Sequence, residues 1–435
     1  MHIEWKKVIV VGVFVIAVIA LVVVLISMFK QATQNQAASS ASTSTDATAF
    51  GGAAPSVQTG TTNTGAFSLQ GGGNIPQATS AQGSTTASTQ IIFKISDGPV
   101  SGAELVNYGI PTTTYSRYVS PEDGHIYEQK LDSAGSLSKM ISNITIPGVS
   151  RAVWTDGGNG VLLQYMQGGT IKTVHLLFAA TSATTTISTP VTPPVVRFLP
   201  DGVTGIAASP NSKNIAYTLR TSAGSDVYTA SSDGSNAAKL FSLPLSELKI
   251  SWSATTTLFL YTKAAGGVQG ISFSANTKTG AVTPVLYGVG MTATADPFYT
   301  SILYRTDTGS GATLYAEQIS SGQSAAFNIG ASLAAPLPET CVWNPVRPLQ
   351  AFCAAPSVSA PDNYLELWHR GESSVASAII SVNVFNGTIG LIATPGTRDG
   401  GETSDAYMFA ISPNARYLSF VSKDDQKLWG VRLVR

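Results

Sequence analysis

Between Ile206 and Leu240 the chain reads IAASPNSKNIAYTLRTSAGSDVYTASSDGSNAAKL, and the pattern inside this stretch limits the fold more than any other feature. An alternating strand ends at Ser209, a Pro-Asn turn follows, and a second strand runs from Asn214 to Arg220. After Ser-Ala-Gly-Ser comes a third strand, Asp226 to Ser231, then the turn Ser-Asp-Gly-Ser-Asn and a short last strand. Four short strands in one meander cannot bury their apolar faces alone. They must stack against copies of themselves, which is how a β-propeller blade is stabilised.

The copies are present. Residues 91–435 show strand-like runs separated by Gly, Asn, Asp, Ser and Pro, without a convincing amphipathic helix, and so predict an all-β domain. Hairpins of the same kind turn near Ser120, Thr155, Ser209, Ser253, Thr300, Asn344 and Ser412, at intervals of 35, 54, 44, 47, 44 and 68 residues. The average, about 49, suits one four-stranded blade. Seven blades are expected, with six or eight as alternatives because the longest interval has room for an extra hairpin around Leu365 to Ile392. Trp154, Trp252 and Trp343 stand just before the turn in three of the hairpins and read as wedges packed between neighbouring blades. The last copy, Ala406 to Arg435, has only three strands, and the stretch from Gln90 offers one strand with no blade of its own. Pairing the two would close the ring and remove exposed sheet edges.

Ser209-Pro210-Asn211 with Ile215-Ala216-Tyr217, the turn Ser231 to Asn236, and Ile411-Ser412-Pro413-Asn414 to Val421 resemble the PD40 repeat of TolB-like propellers. The chain has Asn-Ser and Asn-Ala where that repeat usually has Asp-Gly, and these read as harmless turn substitutions. The resemblance implies a propeller outside the cytoplasm that works through protein contacts, and it implies no catalytic residue. In layout the chain also resembles single-pass, membrane-anchored propeller proteins of candidate-phylum bacteria.

That layout rests on the N-terminus. Val8 to Phe29 is an apolar run of 22 residues, long enough at about 1.5 Å per residue to cross a hydrocarbon core. Met28-Phe29-Lys30 follows in place of a small-residue cleavage site, so the segment reads as an uncleaved anchor. Lys6 and Lys7 precede it, which keeps residues 1–7 cytoplasmic and exports the rest. Residues 30–90 are rich in Ser, Thr, Ala, Gln and Gly, with almost no large apolar side chains, and read as a disordered linker with a span of roughly 40 Å.

Cys341 and Cys353 are the only cysteines. Each lies six residues from the centre of a turn near Arg347, so in an antiparallel hairpin they fall opposite each other, at a separation a disulfide can bridge. The alternative is a pair of buried thiols. Lys and Arg balance Asp and Glu at 25 each, and charged residues make up 11% of the chain. No basic patch marks a nucleic-acid partner. Among His2, His125, His175 and His369 none has a second ligand at metal spacing. Gly148-Val149-Ser150-Arg151-Ala152 lacks the last glycine of a nucleophile elbow, and the glycines at 157, 266 and 400 have no following helix to present to phosphate. Pro121-Glu122-Asp123-Gly124 and Lys423-Asp424-Asp425 fall short of a calcium ligand set. Asn143-Ile-Thr and Asn386-Gly-Thr match the glycosylation triplet. No catalytic, cofactor or metal residue is assigned.

Two functions fit. The first is a protein-binding scaffold that docks an envelope or extracellular protein. The second is an envelope enzyme, a glycan lyase or hydrolase, with its site in the propeller channel. Carboxylates and a histidine gathered at the channel mouth would favour the enzyme, and an apolar or Ser/Thr-lined channel the scaffold.

Overall fold

The computed structural model describes residues 91–435 apart from 133–134, 179–193, 309–310, 331, 358–362, 396–403 and 434–435. They form seven antiparallel four-stranded sheets. Strand β1 (Ile92–Pro99) is followed by blade 1, made of β2 (Ala103–Tyr108), β3 (Thr113–Val119), β4 (Ile126–Lys130) and β5 (Lys139–Ser142). Blade 2 has β6 (Val149–Thr155), β7 (Gly160–Gln167), β8 (Thr170–Leu177) and β9 (Val195–Phe198). Blade 3 has β10 (Val203–Ala208), β11 (Asn214–Thr221), β12 (Gly224–Ser231) and β13 (Ala238–Leu243). Blade 4 has β14 (Leu248–Ala254), β15 (Thr257–Thr262), β16 (Gln269–Asn276) and β17 (Val282–Val289). Blade 5 has β18 (Thr292–Ala295), β19 (Ser301–Asp307), β20 (Ala312–Gln318) and β21 (Gln323–Ala326). Blade 6 has β22 (Val342–Trp343), β23 (Gln350–Pro356), β24 (Ser377–Asn383) and β25 (Ile389–Ala393). Blade 7 has β26 (Ala406–Ile411), β27 (Tyr417–Ser422) and β28 (Lys427–Arg432), and its fourth strand is β1, so the two ends of the ring share one sheet.

The core lies between blades, and β15 shows why. Its sequence TLFLYT looks like a continuous apolar run, yet successive side chains point to opposite faces. Leu258 and Leu260 join Ala216 and Val227 of blade 3, whereas Phe259 and Tyr261 join Ala293 and Ile302 of blade 5. Every blade boundary has a cluster of this kind. Val119 and Ile126 meet Trp154 and Leu163 between blades 1 and 2, and Leu162 meets Ile206 and Tyr217 between 2 and 3. Leu303 and Leu314 meet Ala351 and Ile380 between 5 and 6, and Ile379 meets Leu418 and Phe420 between 6 and 7. Tyr417, Val421 and Leu428 close the ring against Leu105 and Tyr118. The three tryptophans pack at these boundaries as wedges: Trp154 between blades 1 and 2, Trp252 between 3 and 4, and Trp343 between 5 and 6.

Three expectations need correction. The Ser120 hairpin is not equivalent to the others, because it joins β3 to β4, whereas the other six join the first two strands of a blade. The first hairpin of blade 1 turns near Ile110, which accounts for the short interval of 35 residues. The stretch from Gln90 holds two strands, β1 of the closing blade and β2, the first of blade 1. Among its described residues the 68-residue interval hides no extra hairpin. It contains a helix, α1 (Tyr364–Arg370), inserted between β23 and β24 where none was expected. No helix of the described residues is long and apolar enough to cross a membrane, and the expected span Val8–Phe29 and the linker 30–90 lie outside them.

Candidate functional site: a helix over the channel mouth

In an antiparallel blade, the connections between strands one and two and between three and four emerge on one face of the ring. Those between strands two and three, and between blades, emerge on the other. Helix α1 belongs to the second face. Glu366 lies in its first turn, His369 and Arg370 lie in its last, and Gly371 ends it at φ 77°, a left-handed conformation suited to glycine. Seven residues are too few to hold a helix by local bonding, so tertiary contacts keep it in place. Tyr364 and Leu365 bury against Ala264, Leu337 and Val375.

Polar contacts tie α1 to blades on both sides. The Glu366 carboxylate accepts from the Gly266 amide of blade 4. Trp368 Nε1 donates to Asp405 Oδ2 at 2.9 Å, at the entry to blade 7. Lys423 Nζ donates to the carbonyls of Trp368 and Ser373, both at 2.8 Å, and lies 4.3 Å from the centre of the Trp368 ring. His369 Nε2 bonds the carboxylate of Glu339, which lies on the turn entering blade 6, and Tyr261 of blade 4 donates to the other Glu339 oxygen at 3.5 Å. The helix therefore reaches from blade 4 past blade 5 to blade 7, over the mouth of the channel.

Burial sets the acid–base character of this cap. It pushes the Asp405 carboxyl up to about 6, although Lys423 opposes the rise. Burial also penalises the Glu339 carboxylate, but the hydrogen bond and charge of His369, helped by Lys249, hold its pKa below the ordinary value. It raises the Tyr261 phenol well above its ordinary value and lowers the Lys423 ammonium. Beside α1 an open cleft of about 490 Å³ is lined by Glu247, Thr262, Lys263, Glu366, His369 and Arg370. Its charges are met nearby: Glu247 pairs with Arg220 at 3.0 Å and Lys263 at 3.7 Å, and Arg370 with Glu372 at 3.1 Å.

The residues weighed from sequence fall in several places. Cys341 and Cys353 form a disulfide with Cα atoms 4.2 Å apart, one rung beyond the pair Val342 and Phe352. The opposed-strand reading placed them correctly. His125 pairs with Asp123 at 2.9 Å, and buried His175 lies 3.1 Å from Thr155 Oγ1. Ser150 Oγ donates to the Gln164 carbonyl at 3.1 Å. Gly157 lies in a turn at φ 64°, and Gly266 donates to Glu366. Asp424, weighed in a calcium turn, instead accepts from Ser374 and from the Asp405 amide, which braces the cap. Asn143 and Asn386 are exposed, and His2 and Gly400 lie outside the described residues. Of the three described histidines only His369 enters the capped mouth. Its partner Glu339 lies on the turn entering blade 6, and the residues around them, Tyr261 on β15, Asp405 at the entry to blade 7 and Lys423 on the turn after β27, come from three further places, so no sequence motif announces them.

No protein-family model matches the chain, and no curated protein does. Solved structures do. Oligogalacturonate lyase from Vibrio parahaemolyticus superposes with a TM-score of 0.51 at 8% identity, over 80% of this chain and 95% of that one. The fold is a seven-bladed β-propeller. TolB from Acinetobacter baumannii aligns at 10% identity and a TM-score of 0.36 over 78% of each chain. The propeller domain of the Trilobed protease from Pyrococcus furiosus aligns at 10% and 0.41, over 63% of this chain and 77% of that one. At such identities the likeness is one of fold.

Proposed function

We propose that the chain is a protein-binding scaffold of the cell envelope, held outside the cytoplasm by the Val8–Phe29 anchor and the linker 30–90, and docking an envelope or extracellular protein. The observation that carries this reading is the face opposite α1. Its turns present Ile110, Phe385, Phe298 and Val346 to solvent at 94, 78, 64 and 60% exposure, in blades 1, 6, 5 and 6. Large apolar side chains presented to solvent by several turns of one face favour a surface for another protein. The mouth on the other face is covered by a helix whose side chains bond mainly within the fold, which leaves the turn face as the larger free surface. Replacing Phe298 and Phe385 with Ser should abolish capture of an envelope partner by the full chain while leaving its thermal midpoint within about 2 °C. Undiminished capture by the double variant would sink the reading. Orientation has its own check: protease reaching the outer side of the membrane should release the propeller by cutting between Gln31 and Thr89.

A second reading, a glycan lyase or hydrolase, draws on the carboxylate and imidazole joined at the mouth, Glu339 and His369. A carboxylate and an imidazole are the side chains general acid–base catalysis uses most. Against it, the two side chains are only 12 and 8% exposed beneath α1. Glycan cleavage by the full chain that disappears in His369→Gln would establish this reading in place of the first.

A further inference from the structure

Beneath α1 a buried arginine lacks acceptors. Arg305, at the end of β19, is 3% exposed and gives one nitrogen, Nη2, to Asp307 at 2.8 Å. Its Nε and Nη1 have no hydrogen-bond partner among the described residues. Thr292 is fully buried, stands directly across the β18–β19 ladder from Arg305, and its Oγ1 is also unpartnered. The turn Pro338–Thr340, which carries Glu339, packs on the same two strands. Three polar atoms on two adjacent side chains therefore share one need.

Buried N–H groups left without acceptors are costly, and those of a guanidinium more so, because the charged form gains most from an oxygen partner. The neighbouring carboxylates do not meet that need: Glu339 is engaged by His369 and Tyr261, and of the three guanidinium nitrogens Asp307 meets Nη2. The chemistry that fits is one small oxygen-bearing anion. His369 links this place to the outside, since it both bonds Glu339 and lines the open cleft beside α1.

We propose that Arg305 and Thr292 form a binding site for a single oxyanion group, a carboxylate or a phosphate, that lies under α1 and is entered from the cleft. Arg305 supplies charge and two N–H directions, and Thr292 supplies a hydroxyl donor. The helix is the part that moves to admit the anion, since seven residues latched by side chains lift more easily than a blade. The site does not depend on the docking face, and each can fail alone.

The test is a titration of the full chain with sodium acetate and, separately, with inorganic phosphate, at ionic strength held constant with chloride. Heat of binding and Trp368 fluorescence are the readouts, because Trp368 sits on the cap. Saturable binding of either anion is expected, with a dissociation constant below about 10 mM. Acetate alone would mark a carboxylate site and phosphate alone a phosphate site. Arg305→Met should weaken binding at least about tenfold, and Thr292→Val about threefold. If Arg305→Met fails to fold, Thr292→Val carries the comparison. No saturation by either anion up to about 50 mM, or affinity equal to that of the unaltered chain in Thr292→Val, overturns the proposal.

Discussion

Blade 3 and blade 6 use the same four-strand meander but hold it together differently. In blade 3, β11 pairs with β12 along eight consecutive rungs, and short turns join all four strands. In blade 6 the first strand, β22, has two rungs to β23, and the chain leaves the sheet between β23 and β24 to build α1. The Cys341–Cys353 bridge continues the β22–β23 register where the ladder stops. A regular blade is thus held by its ladder and by packing against both neighbours. The blade that carries the cap has lost ladder, and a covalent link takes the place of the missing rungs.

The comparison breaks if packing does not dominate in the regular blade. Ile215 is fully buried between blades 2 and 3, and Ile215→Ala should cost about 2–5 kcal/mol, read as a fall in the urea midpoint. In blade 6, replacing both cysteines with Ala opens a loop spanning a sequence separation of 12 and should cost roughly 3 kcal/mol, a few degrees in a domain of this size. Denatured without reductant, the unaltered chain should show no reactive thiol. A cysteine-free variant that loses nothing would mean that packing against blade 5, where Cys353 is fully buried, suffices for blade 6 as well.

What could be read from sequence follows the same division. Blade 3 was legible because its turns are local: Ser209 Oγ and Asn211 Oδ1 accept amides within five residues, so the motif is written in one place. Ser120-Pro121-Glu122-Asp123-Gly124 shows the limit of that reading. It too is a serine-led turn, with the Gly124 amide bonded to the Ser120 carbonyl, but it occurs one strand later in its blade. Local turn chemistry does not say which pair of strands it joins. The disulfide was legible because two residues equidistant from one turn must face each other. The cap was not, because its contacts join residues as far apart as Tyr261 and Lys423, which only closure of the ring brings together.

The cap should also give the stability a pH dependence opposite in sense to that of blade 3, where hydrogen bonds from Lys239 and Ser235 hold the carboxyls of Asp226 and Asp233 below their ordinary value. Burial raises the Asp405 carboxyl from its ordinary 3.8 to about 6. A raised folded-state pKa stabilises the fold fully below about 3.8, and this contribution is lost as pH rises through about 6. Asp405→Asn keeps an oxygen for Trp368 Nε1 and removes the titration. The stability difference between Asp405→Asn and the unaltered chain should grow in favour of the variant between pH 4 and 7, by at most about 2–3 kcal/mol. The offset is smaller to the extent that Lys423 loses its charge partner. A difference that stays flat across that range would show that Asp405 does not titrate there.

The smallest effect lies within the regular turns. Ser212 in blade 3 and Ala415 in blade 7 occupy the left-handed region, at φ 58° and 53°, in the place where the related repeat has glycine. The turn hydrogen bonds survive the change: Ser209 Oγ and Ser412 Oγ each donate to the Asn two residues on, at 2.7 and 2.8 Å. The substitutions are harmless to the hydrogen bonds, then, but not to the backbone. A residue with a Cβ pays about 1–2 kcal/mol in this conformation, and glycine returns part of that as unfolded-state entropy, about 0.5–1 kcal/mol. Ser212→Gly should therefore raise stability by roughly 0.5–1 kcal/mol, and Ala415→Gly by a similar amount. The two sites lie in blades that are not neighbours, so the double variant should be additive within about 0.5 kcal/mol. A gain at Ser212 with none at Ala415 would show that the closing blade, whose fourth strand comes from the other end of the domain, relaxes its turn in a way blade 3 cannot.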